Sequence, residues 1–228
     1  MVVVLLLAGA VITGLLVSNA KKNKTEGQVI PALPTTVTYD VRRDGPVVVA
    51  GKPDAKLTLD VYLDMLCPFC RQFEEKYTGA IAANLAGGSL QVKYHLVTIL
   101  NERSDPPGYS LDAANAALCA ADNNHFTDFI GSLFAAQPAE GARGYDKSQL
   151  TSLGTRLGIT APDFTTCVST SRYNGDLQAA ENTTVNTPSL QRDVGNGQKS
   201  FSTPTIAIGQ QLVDTTDPKW LDNLLTAP

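Results

Sequence analysis

Residues 57–73 read LTLDVYLDMLCPFCRQF, a stretch in which a strand-like pattern runs into a helix-like pattern through two cysteines. Apolar and polar residues alternate over the first half of the stretch, which is the period of a half-buried strand. From Phe73 to Leu85, apolar residues recur at every fourth position, as they do along one face of a helix. Cys67 and Cys70 are therefore expected at the point where a strand gives way to a helix.

The patterns that follow occur in an order typical of an α/β domain. A second alternating run covers residues 90–96, so this run and the cysteine stretch make a strand–helix–strand unit. Residues 110–194 have mainly helical spacing, and residues 205–213 predict a hairpin. A last helix is expected to begin at Asp217-Pro218, because Asp is a favourable cap and Pro suits the first helical turn.

Composition narrows the possible functions. The 228 residues are 43% hydrophobic, which is enough for a packed core. The formal net charge is −4 and the folded part has no block of Lys or Arg, so a nucleic-acid surface is not expected, because such binding relies on clustered cations. Four cysteines are too few for a disulfide scaffold at this length, but they suffice for a redox pair and one structural bridge.

The spacing Cys67-Pro68-Phe69-Cys70 at the start of a helix suits thiol–disulfide exchange. The thiolate is the reactive form of cysteine, and the unpaired N–H groups and the dipole of a helix N-terminus favour a negative charge there. Cys67 is therefore expected to be an exposed thiol with a lowered pKa. Cys70, one turn further on, is expected to be more buried and to resolve mixed disulfides. Pro68 fits the first turn because it has no N–H to satisfy.

Two other uses of this cysteine pair stay open. Half of a zinc site would need a second pair of ligands, yet Cys119 and Cys167 are isolated in the sequence, and neither His95 nor His125 forms a ligand pair with the motif. No metal site is therefore predicted. The pair could instead form an inert structural disulfide.

The N-terminal residues indicate export. Val2–Val17 is almost entirely apolar, at the short end of the about 17–25 residues that cross a bilayer as a helix. The small residues that follow it could form a cleavage site. We expect a transmembrane anchor or signal segment over residues 1–20, a polar tether over residues 21–46, and an extracytoplasmic catalytic domain over residues 47–228.

The charges around the apolar segment oppose that topology. No Lys or Arg precedes the segment, whereas Lys21, Lys22 and Lys24 follow it. By the positive-inside rule, these lysines and the domain behind them would lie in the cytoplasm. The charges would be compatible with export if translation began upstream and added basic residues. They would also be compatible with export if three lysines were too few to set the orientation.

Two segments resemble the active site of the DsbA-like branch of the thioredoxin superfamily. They are residues 64–73, DMLCPFCRQF, and residues 202–205, STPT, ahead of the expected hairpin. The resemblance implies an α/β thioredoxin fold, a central mixed β-sheet flanked by helices, with an inserted α-helical domain over about residues 105–195. It also implies that Pro204 is cis and faces the cysteines, and that Thr203 presents backbone groups to substrate.

The same resemblance implies a protein disulfide oxidoreductase that introduces or exchanges disulfides in exported proteins. Its redox group would be the Cys67–Cys70 disulfide without a further cofactor, and Pro68 and Phe69 would support the active site or contact substrate. Its partners would be reduced or misfolded exported polypeptides and a membrane redox protein of the DsbB or vitamin K epoxide reductase-like type. A monomer is expected. Phe69 stands where strongly oxidising members often carry His, which weakens any expectation of a very oxidising pair.

Cys119 and Cys167 fall on two different expected helices of the insertion. In related exported proteins with the same insertion, a comparable pair is joined as a structural disulfide. Two separate buried thiols are the alternative, because cysteine tolerates burial well. A bridge would itself indicate an oxidising compartment.

Two other functions compete with that of a disulfide donor. The motif could serve an extracytoplasmic thiol reductase, for example in cytochrome maturation. The protein could also be a binding or chaperone module whose disulfide is structural. Asp60 and Asp64 precede the motif, where a carboxylate can relay protons, but such charged side chains are more often solvated. Neither receives a role from the sequence.

Overall fold

A six-stranded mixed sheet frames the domain in the computed structural model, which describes residues 24–226. The strands of the chain are β1 Val41–Asp44, β2 Val47–Ala50, β3 Leu57–Leu63, β4 Leu90–Leu96, β5 Arg192–Gly195, β6 Gln198–Ser200, β7 Thr205–Ile208 and β8 Gln211–Leu212. Six of them form the sheet, in the spatial order β1-β2-β4-β3-β7-β8. The strands β3 and β4 are parallel, and the other neighbouring pairs of the sheet are antiparallel. The remaining two, β5 and β6, form a separate hairpin.

Seven α-helices lie among the described residues: α1 Pro68–Gly87, α2 Tyr109–Ala121, α3 Phe126–Ala135, α4 Lys147–Arg156, α5 Pro162–Ser169, α6 Asn174–Val185 and α7 Trp220–Thr226. Short 3₁₀ turns cover Asn101–Arg103 and Pro188–Leu190. Five of the helices, α2 to α6, follow one another between β4 and β5 and form the helical insertion, so the expected thioredoxin fold with an inserted helical domain is confirmed.

The helix α1 begins directly after Cys67 and ends before Gly88. Cys67 is its extended N-cap residue, and Pro68 is the first helical residue. Gly88 ends the helix in the left-handed conformation, with φ of 78°, which glycine adopts without a steric penalty. Phe73 and Leu85 are buried on the face of α1 that packs against the apolar side of the sheet. Burial of this apolar face fixes the orientation of α1 on the sheet, and with it the position of the N-terminus of α1.

The opposite side of the sheet carries a smaller cluster. Tyr62 stacks on His95, with the ring centroids 4.3 Å apart, and His95 Nε2 lies 2.8 Å from Asp60 Oδ1. These side chains lie on the opposite face of the sheet from α1, because successive side chains of a strand alternate between the two faces. Asp60 thus belongs to a structural pair with His95.

The helical insertion is organised around α2, which is buried along almost its whole length. A disulfide between Cys119 on α2 and Cys167 on α5 joins two of its helices, so the pairing implied by the resemblance is present. Asn115 adds a buried polar link, because its side chain accepts a hydrogen bond from Tyr173 N at 2.8 Å and donates to the carbonyl of Cys167 at 3.4 Å. The insertion is therefore held by a covalent link and by a buried polar contact.

The segment before β1 differs from the expected polar tether. Thr25 Oγ1 donates to the carbonyl of Arg143 at 2.8 Å, and Gln149 Nε2 donates to the carbonyl of Thr25 at 2.7 Å. Ile30 is buried in the main core, and Leu33 N donates to Ser132 Oγ at 2.9 Å. The polar composition resembled that of a linker, but side chains of the insertion satisfy its backbone groups. Part of the segment also forms the strand β1.

The expected anchor or signal segment over residues 1–20 lies outside the described residues. Within residues 24–226, no helix is both long enough and apolar enough to cross a membrane.

Candidate active site

The cysteine pair lies at the N-terminus of α1, at the carboxyl end of β3. Both thiols are free, and Cys70 is fully buried in the first turn. Cys67 is only 4% exposed, so the expectation that it would be an exposed thiol is wrong. Pro68 and Phe69 are the exposed residues of the motif, and Phe69 is 63% exposed. Little of Cys67 itself is therefore accessible to solvent.

The loop before β7 covers Cys67, which accounts for its burial. The Thr203–Pro204 peptide bond is cis, as the resemblance implied. The Cys67 thiol donates a hydrogen bond to the carbonyl of Thr203 at 3.3 Å. The two motifs meet because β7 pairs with β3, with Thr205 opposite Tyr62. Sheet pairing therefore brings together segments separated by 136 positions in the sequence.

The surroundings shift the pKa values of the two thiols in opposite directions. A hydrogen bond from the Cys70 thiol lowers the pKa of Cys67 to about 6, despite the opposing effect of burial. The Thr203 side chain and the backbone N–H groups of Cys70 and Phe69 also lower the pKa of Cys67. Burial raises the pKa of Cys70 well above its ordinary value. Cys67 is thus the thiol that ionises more readily, and Cys70 keeps its proton at neutral pH.

We expect alkylation of the reduced protein by iodoacetamide to follow the ionisation of Cys67. The rate should rise through a midpoint near pH 6 and level off above about pH 7, because the thiolate is the reacting species. The folded-state pKa lies below that of an unfolded cysteine. The reduced form should therefore become relatively more stable as the pH rises from about 6 to about 8.5.

Mass spectrometry of the singly alkylated protein should locate the label on Cys67 alone. The Cys67→Ser variant is the control and should remain largely unlabelled under the same conditions. A midpoint near pH 8.5, the value for an ordinary thiol, would contradict the expected stabilisation of the thiolate.

Asp64 is a site residue to which the sequence assigned no role. Its side chain is fully buried, and its carboxylate accepts hydrogen bonds from Leu66 N at 2.8 Å, Leu100 N at 2.9 Å and Ser110 Oγ at 2.7 Å. Burial raises its pKa to about 6, although these hydrogen bonds act in the opposite direction. The available signal was a charged residue within an otherwise apolar run, between Leu63 and Met65.

Gln137 is a second contact that the sequence could not reveal. Its Nε2 donates to the carbonyls of Met65 and Cys67, both at 3.0 Å. Gln137 follows α3 in the helical insertion, and no pattern in the sequence connects it with the motif. The insertion therefore contacts the loop between β3 and α1, called the catalytic loop below, directly.

A groove of about 370 Å³ lies beside the motif, between the start of α1 and the loop that contains Gln137. A larger cavity of about 570 Å³ lies between the N-terminal segment and the insertion, and it shares the wall formed by residues 137–139. The resemblance implies that substrate contacts Thr203, whereas neither Thr203 nor Pro204 lines these two cavities. The smaller groove is lined by Leu66, Pro68, Arg71, Gln72, Glu75 and residues 137–140.

Residues that the sequence offered as zinc ligands have other partners in the structure. Cys119 and Cys167 are bonded to each other, and His95 pairs with Asp60. Among residues 24–226, no group of three or more His, Cys, Asp or Glu side chains could hold a metal ion.

Comparisons with known proteins agree on one kind of fold. A family model described as thioredoxin matches residues 43–227. The chain is similar to DsbA from Mycobacterium tuberculosis in its reduced form, with 21% identity and a TM-score of 0.64, covering 79% of this chain and 91% of that one. It is also similar to MdbA, a thiol–disulfide oxidoreductase from Corynebacterium diphtheriae, with 22% identity and a TM-score of 0.67, covering 83% of this chain and 94% of that one.

A relative of another kind is the serine/threonine-protein kinase PknE of Mycobacterium tuberculosis. It is 29% identical over 195 residues, which cover 83% of this chain and 33% of the kinase. The chain therefore spans about a third of the length of the curated relatives that it matches.

Proposed function

Because the chain belongs to the thioredoxin family and its fold is similar to that of DsbA, we propose that its Cys67–Cys70 pair introduces or exchanges disulfides in exported proteins. The observation that carries the proposal is the opposite shift of the two thiol pKa values at one helix N-terminus. Such asymmetry separates an attacking sulfur from a resolving sulfur. An inert structural disulfide would need no stabilised thiolate at Cys67.

The exchange proceeds in two balanced steps. In the first, a substrate thiolate attacks Sγ of Cys67 in the Cys67–Cys70 disulfide, a substrate–Cys67 disulfide forms, and Cys70 leaves and takes up a proton. In the second, another substrate thiolate attacks the substrate sulfur of this mixed disulfide, so that the substrate is oxidised and Cys67 leaves as a thiolate. Two electrons pass to the pair. A leaving thiol of low pKa leaves faster, so a pKa near 6 for Cys67 favours disulfide donation.

The proposed substrates are reduced or misfolded exported polypeptides. The exposed Phe69 and the groove beside Pro68 offer an apolar edge and a recess next to Cys67, which suit an extended unfolded chain. Reoxidation of the pair requires an electron acceptor. We propose a membrane redox partner of the DsbB or vitamin K epoxide reductase-like type, acting on a monomer on the extracytoplasmic side. The disulfide between Cys119 and Cys167 supports an oxidising compartment.

A thiol reductase is the second candidate, and Phe69 is the observation that favours it. A phenyl ring at this position offers no polar hydrogen to the Cys67 thiolate, unlike an imidazole. Weaker stabilisation of the thiolate makes the disulfide less oxidising. The direction of electron flow therefore depends on the reduction potential.

We expect equilibration with glutathione to give a reduction potential between about −120 mV, the value for DsbA, and about −180 mV, the value for protein disulfide isomerase. The reason is that the lowered pKa of Cys67 stabilises the reduced form of the pair. The Phe69→His variant, which adds a hydrogen-bond donor, should be more oxidising than the wild-type protein. A value near that of thioredoxin, about −270 mV, would instead support a reductase. A Cys67 thiol that resists alkylation after reduction would support a binding module.

A further inference from the structure

The loop between β3 and α1 is attached to the helical insertion through one buried carboxylate. Asp64 lies at the beginning of this loop, and Ser110, on α2 of the insertion, donates its hydroxyl hydrogen to Asp64 Oδ1. The same oxygen accepts the N–H of Leu66 within the loop, and Oδ2 accepts the N–H of Leu100 in the segment after β4. One side chain thus joins three segments that are remote in sequence.

An ionised carboxylate suits all three donors best. It has acceptor sites on both oxygens and no hydrogen of its own. An asparagine amide has one oxygen, so its NH₂ group would face at least one of the donors from Leu66, Leu100 and Ser110. A buried N–H without an acceptor is costly. The three hydrogen bonds therefore favour the ionised form of Asp64, against the opposing effect of burial.

This charge lies close to the reacting sulfur. The titratable groups that interact with the Asp64 carboxylate are Cys67, just before α1, and Tyr109 on α2, whereas Cys70 contacts only the backbone of Asp64. A negative charge disfavours ionisation of a neighbouring thiol. Because Asp64 and Cys67 both titrate near pH 6, they lose their protons as a coupled pair.

We infer that Asp64 is a positioning residue for the exchange reaction. Its carboxylate ties the loop that carries Cys67 to the helical insertion, and its charge limits the fraction of Cys67 that is thiolate. The inference rests on the proposed function for its relevance to exchange, but it concerns properties of the reduced protein that are measured without a substrate. Hydrogen bonding by Ser110 keeps the carboxylate ionised, so the insertion contributes to the reactivity of Cys67.

The test is the pH profile of Cys67 alkylation in three variants of the full chain. In Asp64→Asn, the midpoint should fall by about one pH unit, a tenfold change in the thiol–thiolate equilibrium, and the profile should narrow to that of a single proton. In Ser110→Ala, the midpoint should fall by a smaller amount, because loss of the hydroxyl donor leaves Asp64 less ionised at the same pH.

The control is Asn115→Ala, which removes a buried polar link on the same helix as Ser110 without touching the catalytic loop. It should destabilise the insertion against urea and leave the alkylation midpoint unchanged.

An unchanged midpoint in Asp64→Asn, with a lower free energy of unfolding, would overturn the inference and leave Asp64 a purely structural residue. The same would follow if Asn115→Ala moved the midpoint as far as Ser110→Ala does. If Asp64→Asn does not fold, Ser110→Ala decides the matter alone. A protein that shows the predicted shifts but oxidises no substrate would contradict the proposed function and not this inference.

Discussion

The Cys70→Ser variant should accumulate mixed disulfides with substrate proteins, whereas the Cys67→Ser variant should form none and lose its exchange activity. Cys67 is the thiol whose pKa is lowered, and it is the one that contacts the loop containing Pro204. Without the buried Cys70, no resolving sulfur is available to release a trapped substrate. Activity of Cys67→Ser should fall by a factor of roughly a thousand or more, because removal of the reacting nucleophile is among the largest losses that enzymes show.

Trapping is measured by non-reducing electrophoresis and mass spectrometry after incubation of the reduced variant with an unfolded substrate that carries disulfides, so that the Cys67 thiolate attacks a substrate disulfide and one substrate sulfur leaves as a thiolate. The double variant Cys67→Ser/Cys70→Ser is the matched control and should give no adducts. Equal trapping by the two single variants would contradict the assignment of Cys67 as the attacking sulfur.

Removal of the structural disulfide should cost about 4 kcal/mol of unfolding free energy. Cys119 and Cys167 are separated by 48 positions, and a cross-link over a loop of that length restricts the unfolded chain by about this amount in the chain-entropy treatment. Typical domains have unfolding free energies of about 5–15 kcal/mol, so the loss would be a large fraction of the total. Urea unfolding of Cys119→Ala/Cys167→Ala against the wild-type protein measures it.

The alkylation midpoint of Cys67 provides the control for this variant. It should be unchanged wherever the variant is folded, since the bridge joins α2 to α5 and does not contact the catalytic loop. A stability loss below about 1 kcal/mol would show that the insertion is held by packing alone, because a typical disulfide contributes about 2–4 kcal/mol.

Local patterns in the sequence were sufficient for the central part of the fold. The alternation over residues 57–63 and the apolar stripe from Phe73 to Leu85 predicted β3 and α1, because each pattern reflects burial of one face of a single element. The strands β1 and β2 were missed. The sequence Val41-Arg42-Arg43-Asp44 has one apolar residue, and the strand it forms at the edge of the sheet is only partly buried.

For the candidate site, too, the sequence was sufficient for local features but not for long-range contacts. The motif identified Cys67 and Cys70, and the resemblance added Pro204. The burial of Cys67 and the roles of Asp64 and Gln137 depend on segments that come together only in the folded chain. No periodicity encodes such contacts, so the sequence could not assign them.

The docking of the N-terminal segment changes where the autonomous folding unit begins. A truncated protein starting at residue 47 would lack β1, leave an empty site where Ile30 is buried, and deprive Gln149 of the carbonyls of Thr25 and Gln28. A recombinant fragment that keeps these interactions must include Thr25. A force applied to the chain ahead of Thr25 would act first on its contacts with the helical insertion, before it reached β1 and the sheet that carries the cysteines.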